Sequence, residues 1–437
     1  MRVGIVGAGL AGCECAMALA RCGVDVVLFE MKPRGFSPAH TSEDLAELVC
    51  SNSFRSDDPE SAVGLLKLEM AEAGSLVMAV ARQTAVPAGK ALAVDRGLFS
   101  AEITARIQAE PRIRLERREI QTLDDPDLAG LDAVVLAAGP LASDALARDL
   151  ARVVGHDSLY FYDAIAPIVD AASIDLSVAF RASRYEDGPG DYLNCPMDET
   201  QYRRFVADLV AADKVKPREF ETHLHFEGCL PIETMAERGE MTLAFGPLKP
   251  VGLTDPKTGR RPFAVIQLRP ENSARTMYNM VGFQTKLTYP EQLRVFRTIP
   301  GLEHAEFVRL GSIHRNTFVD APKTLSPCLE LLARPGTYLA GQITGVEGYV
   351  ESAACGLWLG LHLAARLHGR HLPPPPPESA MGALLAHLHT DAKHFQPMNV
   401  NFGLSPALTG RHKKVERKAL YASRARDAWA RWREENV

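Results

Sequence analysis

The chain has 437 residues, 46% hydrophobic and 24% charged, an ordinary globular composition with room for two domains and a sizeable core. Its formal net charge of −5 argues against a protein that coats nucleic acid through bulk charge, so any RNA contact has to be local. Eight cysteines (Cys13, Cys15, Cys22, Cys50, Cys195, Cys229, Cys328 and Cys355) show neither a C-x-x-C nor a paired zinc spacing, which fits reduced thiols and predicts no metal site.

The first thirty residues read as strand, turn, helix, strand, acid. An apolar run, Val3 to Val6, stops at Gly7-Ala8-Gly9-Leu10-Ala11-Gly12; a helix-like segment ends at Gly23; a second run, Val24 to Phe29, finishes on Glu30. In such a turn Gly7 makes the bend, Gly9 lets backbone approach a pyrophosphate, and Gly12 lets helix and strand pack closely. The diphosphate then sits on free N–H groups at the helix N-terminus, and Glu30 accepts from an adenosine ribose. That chemistry suits FAD or NAD, and the motif alone does not choose. Glu14 interrupts the apolar start, so the glycine pattern explains it better than a signal peptide does.

Residues 31–41 form a Pro/Gly loop at a strand's carboxyl end. Ser42 to Val49 predicts a short N-capped amphipathic helix that delivers Cys50 into a run of small polar residues, a setting that exposes a thiol. Gly64 to Ala81 predicts one helix with Leu65, Leu68, Met70 and Ala71 inward and Lys67 and Glu69 outward. Val86 to Arg96 is a turn into a strand, Phe99 to Gln108 a helix, and Ala133 to Ala138 a buried parallel strand ending at Gly139-Pro140, either a second nucleotide contact or a plain turn.

From about Tyr160 short strand-like runs dominate: Ala164 to Asp170, Arg181 to Arg184, Thr222 to Phe226, Met241 to Phe245, Phe263 to Leu268, Met277 to Val281 and Glu306 to Leu310. Thr337 to Gly341 then returns to the strand-then-glycine pattern, and a second glycine-rich turn, Gly341, Gly345, Gly348 and Tyr349, runs into an apolar helix, Ala353 to Leu367. A helix N-terminus there would favour the anionic edge of a reduced flavin, which tips the cofactor towards FAD. Pro373 to Pro377 predicts a stiff spacer before a separate helical tail. Its basic residues, Arg411 to Lys414, Arg417, Lys418, Arg424, Arg426, Arg431 and Arg433, alternate with Tyr421, Trp429 and Trp432. Two readings stand open for it: a solvated face with aromatics inward, or a phosphate-contacting surface with stacking residues.

The expected fold class is therefore α/β, a Rossmann-like FAD-binding domain of glutathione-reductase type with an inserted α+β domain. The boundaries are 1–160 and 316–372 for the two parts of the FAD-binding domain, 161–315 for the insert and 373–437 for spacer and tail. The most apolar late stretch, Gly356 to Leu367, is too short to span a bilayer, so the reading is a cytoplasmic protein without membrane contact.

His225 to Glu233 sets Cys229 between a glycine and a Leu-Pro turn. It reads as a buried structural thiol, as a thiolate nucleophile with His223, His225 and Arg238 supplying positive charge, or, paired with Cys50, as a redox disulfide. Pyrimidine chemistry is one reaction that demands a thiolate, because C5 of uracil becomes nucleophilic only after addition to C6, and a second group then removes the C5 proton. Lys249, Arg269 and Arg315 are candidate anion contacts.

Several strings taken together resemble the folate- and FAD-dependent tRNA (uracil-5-)-methyltransferase family. They are Glu47 to Ser53, Val86 to Gly89 with Ala91 to Arg96, Tyr192 to Met197, Phe226 to Cys229, Phe245 to Leu253, Val281 to Thr285 and His314 to Phe318. The sequence is similar, more distantly, to flavoproteins that modify the tRNA wobble uridine. The resemblance implies ribothymidine formation at position 54 in the T loop of tRNA. Methylenetetrahydrofolate supplies the carbon, reduced FAD the electrons, and NADH or NADPH restores the flavin. It assigns Cys229 as the nucleophile, Cys50 as the second cysteine that helps remove the C5 proton, Gly7 to Gly12 and Glu30 to FAD, and Gly341 to Tyr349 to the turn beside the isoalloxazine. Phe54, Lys90 and Ala138 depart from the family's usual leucine, glycine and threonine. A ribosomal RNA uridine methyltransferase with the same cofactors and a flavin-linked disulfide oxidoreductase are the alternatives; oligomeric state is not read from sequence.

Overall fold

The early apolar runs become parallel strands. The structure, a computed structural model, describes residues 1–155, 159–184, 190–215, 230–390, 395–410 and 412–436. Strand β1 (Arg2–Val6) leads through the glycine turn into helix α1 (Leu10–Arg21) and strand β2 (Asp25–Glu30). A small antiparallel sheet follows, β3 (Ser53–Ser56) with β4 (Ala85–Val86) and β5 (Ala91–Val94), and α2 (Ala62–Glu72) and α3 (Leu76–Gln83) lie between its first two strands. Next come α4 (Arg96–Ala109), β6 (Ile113–Arg117), β7 (Ala133–Leu136) and α5 (Asp144–Val154).

The middle of the chain comprises β8 (Leu159–Ile165), β9 (Ile168–Asp170), β10 (Phe180–Arg181), β11 (Leu193–Met197), α6 (Glu199–Ala211), α7 (Ile232–Glu237) and α8 (Thr242–Phe245), then β12 (Ala264–Pro270), β13 (Met277–Met280), α9 (Tyr289–Phe296), β14 (Phe307–Arg309) and β15 (Ser312–Phe318). The last part holds α10 (Ala321–Thr324), β16 (Thr337–Leu339), α11 (Tyr349–Leu367), α12 (Ala380–His387) and α13 (Lys414–Asn436).

Among the described residues, one sheet has the order β16-β7-β1-β2-β6 with every pairing parallel. The late strand β16 therefore lies beside β7, and the two ends of the chain share one sheet. A second sheet, β10-β11-β12-β13-β9-β14, is antiparallel. The antiparallel ribbon β8–β15 carries the chain out to it and back. Its strands alternate as a half-covered sheet demands: Ala264, Ile266 and Leu268 join an apolar cluster with Tyr202 and Phe205 of α6, while Gln267 and Arg269 take the other face.

Helices α1 and α11 lie against each other through small side chains. A Cβ at Gly356 would collide with the carbonyl of Ala11, and one at Gly360 would stand 2.7 Å from the Ala18 methyl and 2.9 Å from the Cys15 carbonyl. Only glycine lets these backbones come so near. Cys13, Cys15 and Cys355 are fully buried in this cluster, as packing residues.

Several local expectations are corrected. Ser42 to Val49 is not helical: its amides bond elsewhere, Leu45 N–H to the Thr104 hydroxyl (2.9 Å) and Ala46 N–H to the Ala8 carbonyl (2.9 Å), and Ala46 has φ of 50°. Gly64 to Ala81 is two helices, because the buried Glu14 carboxylate accepts from Leu76 and Val77 N–H (both 3.0 Å) and from the Ser75 hydroxyl, and so starts a new helix there. Lys67 and Glu69 point inward and Leu68 outward; Lys67 pairs with Asp57 at 3.2 Å, and Glu69 caps α12 through Ala380 and Met381 N–H at 2.8 and 2.7 Å. Met241 to Phe245 is a helical turn rather than a strand, and Thr222 to Phe226 lies outside the described residues. The tail is not separate: Trp429 and Trp432 of α13 are buried in the same cluster as the parallel sheet and donate to Glu72 (2.9 Å) and the Pro373 carbonyl (3.2 Å), so its tryptophans are not free to stack on bases.

Overpacking of a close helix contact costs about 1–3 kcal/mol. Gly356→Ala is expected to lower unfolding free energy by about that much, measured by chemical denaturation; an unchanged midpoint would mean that α1 and α11 are not seamed by this glycine.

Candidate functional site

β1, β2, β7 and β16 all deliver their carboxyl ends to one cleft, the place where open α/β sheets bind ligands. It is lined by the first glycine turn, by Phe29 to Lys32, by Ala137 to Ser143 and by Gly341, Gln342, Tyr349 and Ser352. Its empty volume is about 1110 Å³, open mouth included.

Each glycine of the first turn answers to its geometry. Gly7 has φ of 102°, and a Cβ there would lie 2.5 Å from the Ala137 carbonyl; a Cβ on Gly12 would collide with the Gly7 carbonyl. At Gly9 an added Cβ meets nothing within 4 Å, so its backbone faces open space. Gly9 is also the N-cap of α1 and has no side chain to occupy the helix's first N–H groups. Glu30 is buried at the end of β2; its oxygens accept from Ala8 and Lys32 N–H at 3.0 Å each, which fixes the carboxylate beside the turn. Open backbone, free N–H groups and an oriented acid fit a dinucleotide.

The second turn meets the first. A Cβ on Gly341 would stand 2.8 Å from the Ala11 methyl, while Gly348 is the N-cap of α11, again without a side-chain cap. Two helix N-termini therefore open on one cleft. Gly139 follows β7 in the cleft wall with open space where a side chain would be; Gly345 packs against Phe395.

Tyr349, first residue of α11, connects this cleft to Cys50. Its hydroxyl accepts from Cys50 N–H (2.9 Å) and Ser51 N–H (3.2 Å) and lies 3.1 Å from Cys50 Sγ. A hydroxyl has two lone pairs and one proton; the two N–H donors use the first, so the proton is directed at sulfur. Burial and the neighbouring Cys50 hold the Tyr349 pKa well above the ordinary tyrosine value, which keeps that proton in place. Phe54 packs on Tyr349 with ring centroids 6.0 Å apart.

Arginines surround the Cys50 loop. Arg96 donates to the Leu48 carbonyl (2.6 Å) and is held by Glu271 through two contacts of 2.8 and 3.2 Å; burial lowers its pKa, but Glu271 and Tyr349 outweigh this and raise it. Arg269 donates to Asn52 Oδ1 (2.9 Å) and Ser51 Oγ (2.7 Å), and Asn52 donates to the Val94 and Pro270 carbonyls at 2.9 and 3.0 Å. The loop is thereby pinned between the small sheet and β12. Arg269 is thus one of the expected anion contacts brought to the site; Lys249 is exposed on a loop, and the Arg315 side chain lies outside the described residues. So do Cys229, His223 and His225. Among the described residues no group of His, Cys, Asp and Glu could hold a metal ion, and no helix is long and apolar enough to cross a membrane.

Sequence reading did not single out Asn52, Arg96 or Glu271. Arg96 stood in the charged pair that ends β5, and Glu271 had no local signal at all, since its partner is 175 residues away.

A parallel sheet with a glycine turn, a terminal acid and a second turn from the far end of the chain defines an α/β protein of the Rossmann-like FAD-binding class. Residues 2–371 match the family described as Glucose inhibited division protein A. Among curated relatives, the methylenetetrahydrofolate--tRNA-(uracil-5-)-methyltransferase TrmFO of Oleidesulfovibrio alaskensis is 64% identical over 428 residues, 98% of this chain and 96% of that one. The protein of the same name from Geobacter sulfurreducens is 60% identical over 425 residues, 97% of this chain and 96% of its own. The solved structure of Aquifex aeolicus GidA in its form II crystal superposes with a TM-score of 0.69 at 16% identity, over 99% of this chain and 73% of that one, a likeness of fold. The chain belongs to the Glucose inhibited division protein A family.

Removing the hydroxyl of Tyr349 strands two backbone donors, a loss of about 1–3 kcal/mol for buried groups. Tyr349→Phe is expected to be less stable by that order in chemical denaturation, and equal stability would show that the hydroxyl does not hold the Cys50 loop.

Proposed function

We propose that this protein transfers a one-carbon unit from 5,10-methylenetetrahydrofolate to C5 of uridine 54 in the T loop of tRNA, with reduction by FADH2, forming 5-methyluridine. Curated relatives at 57–65% identity carry the methylenetetrahydrofolate--tRNA-(uracil-5-)-methyltransferase name, and the cleft fits FAD. The observation that carries the reading to this chain is the 3.1 Å contact between Cys50 Sγ and Tyr349, the residue that lines the dinucleotide cleft: it sets a thiol beside the cofactor's site. Bound FAD supplies the two electrons that turn the transferred carbon into a methyl group, and NADH or NADPH restores it. Gly7 to Gly12 and Glu30 hold its adenosine diphosphate half, with Gly139 in the wall, and Gly341, Gly345, Gly348 and Tyr349 shape the opposite end.

The protein's own chemistry then follows. The Cys229 thiolate adds to C6 of uracil, forming a C–S bond and moving the electron pair to the C5–C4–O4 enolate, so that C5 becomes a nucleophile. Once C5 carries the new carbon, the C5 proton leaves with the help of Cys50 and the C6–S bond breaks, which restores the Cys229 thiolate. Arg96 and Arg269 hold the loop that carries Cys50, and the Tyr349 hydroxyl lies 3.1 Å from its sulfur. Domain limits of 1–160 and 316–372 for the cofactor part and 161–315 for the insert suit this division of labour, in a cytoplasmic setting where tRNA and reduced folate are at hand.

The test is ribothymidine formation from undermodified tRNA, with methylenetetrahydrofolate and a reduced nicotinamide, and with ribosomal RNA as the parallel substrate. The unaltered protein is expected to methylate tRNA, and Cys229→Ala to lose at least about a thousandfold in rate while keeping its flavin absorbance. Methylation by Cys229→Ala at normal speed, or of ribosomal RNA alone, would contradict the proposal.

A further inference from the structure

Beside Cys50, the antiparallel sheet presents a row of side chains, two of which, Asn279 and Arg309, have no part in the chemistry above. Arg269 of β12 stands opposite Asn279 of β13, Asn279 opposite Ile168 of β9, and Ile168 opposite Arg309 of β14. Residues directly opposite in antiparallel pairs share a face, so these four side chains form one rung across four strands. At about 4.8 Å per strand the rung spans about 14 Å. It lies on the polar face, behind which the apolar cluster is packed.

Two members of the rung are orphaned. Asn279 is 3% exposed, and its Nδ2 is buried without a hydrogen-bond partner among the described residues. Nε and Nη2 of Arg309 are likewise buried and unpartnered. Burial and the nearby Arg96 push the Arg309 pKa down, and Glu271 offsets this only in part. Buried orphan donors cost about 1–3 kcal/mol each, and in a native structure such groups are completed from outside the chain, by a ligand, an ion or an ordered water, or serve a function of their own.

The register supplies a second sign of construction. Between Phe307 and Arg309 the pairing advances two residues on β14 against one on β9, so that Arg309 rather than Val308 stands opposite Ile168. Val308 is 53% exposed. Bulges of this kind re-aim a side chain and gather beside active sites. Without it, the rung would end in valine.

We propose that Asn279, Arg309 and Arg269, over the apolar floor of Ile168, bind the oxo-amide edge of a pyrimidinone ring during the proposed methyl transfer. The inference rests on that reading of the site and deepens it. Donors around an apolar floor are the chemistry of a planar heterocycle with carbonyl oxygens. Two reactants carry that edge, the pterin of the folate and the target uracil, whose Watson–Crick edge a protein reads once the base is splayed out.

Asn279→Ser and Arg309→Lys separate the sources. Both are compared with the unaltered protein after their visible spectra have established equal flavin content, which guards against misfolding. If the pterin is held, tetrahydrofolate affinity measured by calorimetry falls about tenfold. If the uracil is held, that affinity stays and kcat/KM for undermodified tRNA falls by a similar factor. Flavin-loaded variants with both quantities within about twofold of the unaltered protein overturn the inference. Failure of the methyltransferase reading shows itself separately, as an unaltered protein that binds tetrahydrofolate yet forms no ribothymidine.

Discussion

The seam between α1 and α11 is the contact on which the site depends. Gly356 and Gly360 meet Ala11, Cys15 and Ala18 with no room for another carbon, and this fixes two helices from opposite ends of the chain side by side with their N-termini on one cleft. Gly341 then touches Ala11 from the second turn. Because α11 begins at Tyr349, the same seam sets the height of the hydroxyl that holds Cys50. Dinucleotide cleft and thiol are in this way consequences of one close approach, and a bulkier residue in the seam would disturb both.

Around that seam, buried carboxylates fasten remote segments. Glu14 of α1 starts α3, Glu69 of α2 starts α12, and Glu351 of α11 takes the Val400 N–H at 2.9 Å and pairs with Arg55. Burial pushes Glu14 up to about 7 and Glu69 up to about 8, while the N–H groups of the helix starts act against that shift. The insert joins the site by a different route. Its polar sheet face delivers Arg269 to Asn52 and Ser51, and Glu271 to Arg96, so the Cys50 loop is gripped from both sides.

How much of this was legible follows from the range of the interactions. The tight geometry at Gly7 and Gly12 could be read because turn, helix and strand are contiguous, and the structure leaves no room for a Cβ at either. Parallel strands showed as unbroken apolar runs for the same local reason. What failed was decided by distant partners: Ser42 to Val49 carries a helical pattern, but Ala8 and Thr104 take its amides; Lys67 and Glu69 look like a solvated face, but Asp57 and the start of α12 draw them inward. The tail's tryptophans read equally well as stacking platforms or as core until Glu72 and Pro373 supplied partners. Asn279 and Arg309 had only the alternation of their strands to mark them, and the bulge that brings Arg309 into the rung cannot be read from β14 alone.

The central claim is that both glycine turns close on one dinucleotide and are coupled through the α1–α11 seam. Hydrogen exchange of the flavin-depleted protein, with and without added FAD, tests it most directly. The account predicts that residues 7–13 and 341–352 gain protection together, at the same FAD concentration. Protection confined to one of the two stretches, or absent from both while FAD is bound, would contradict it.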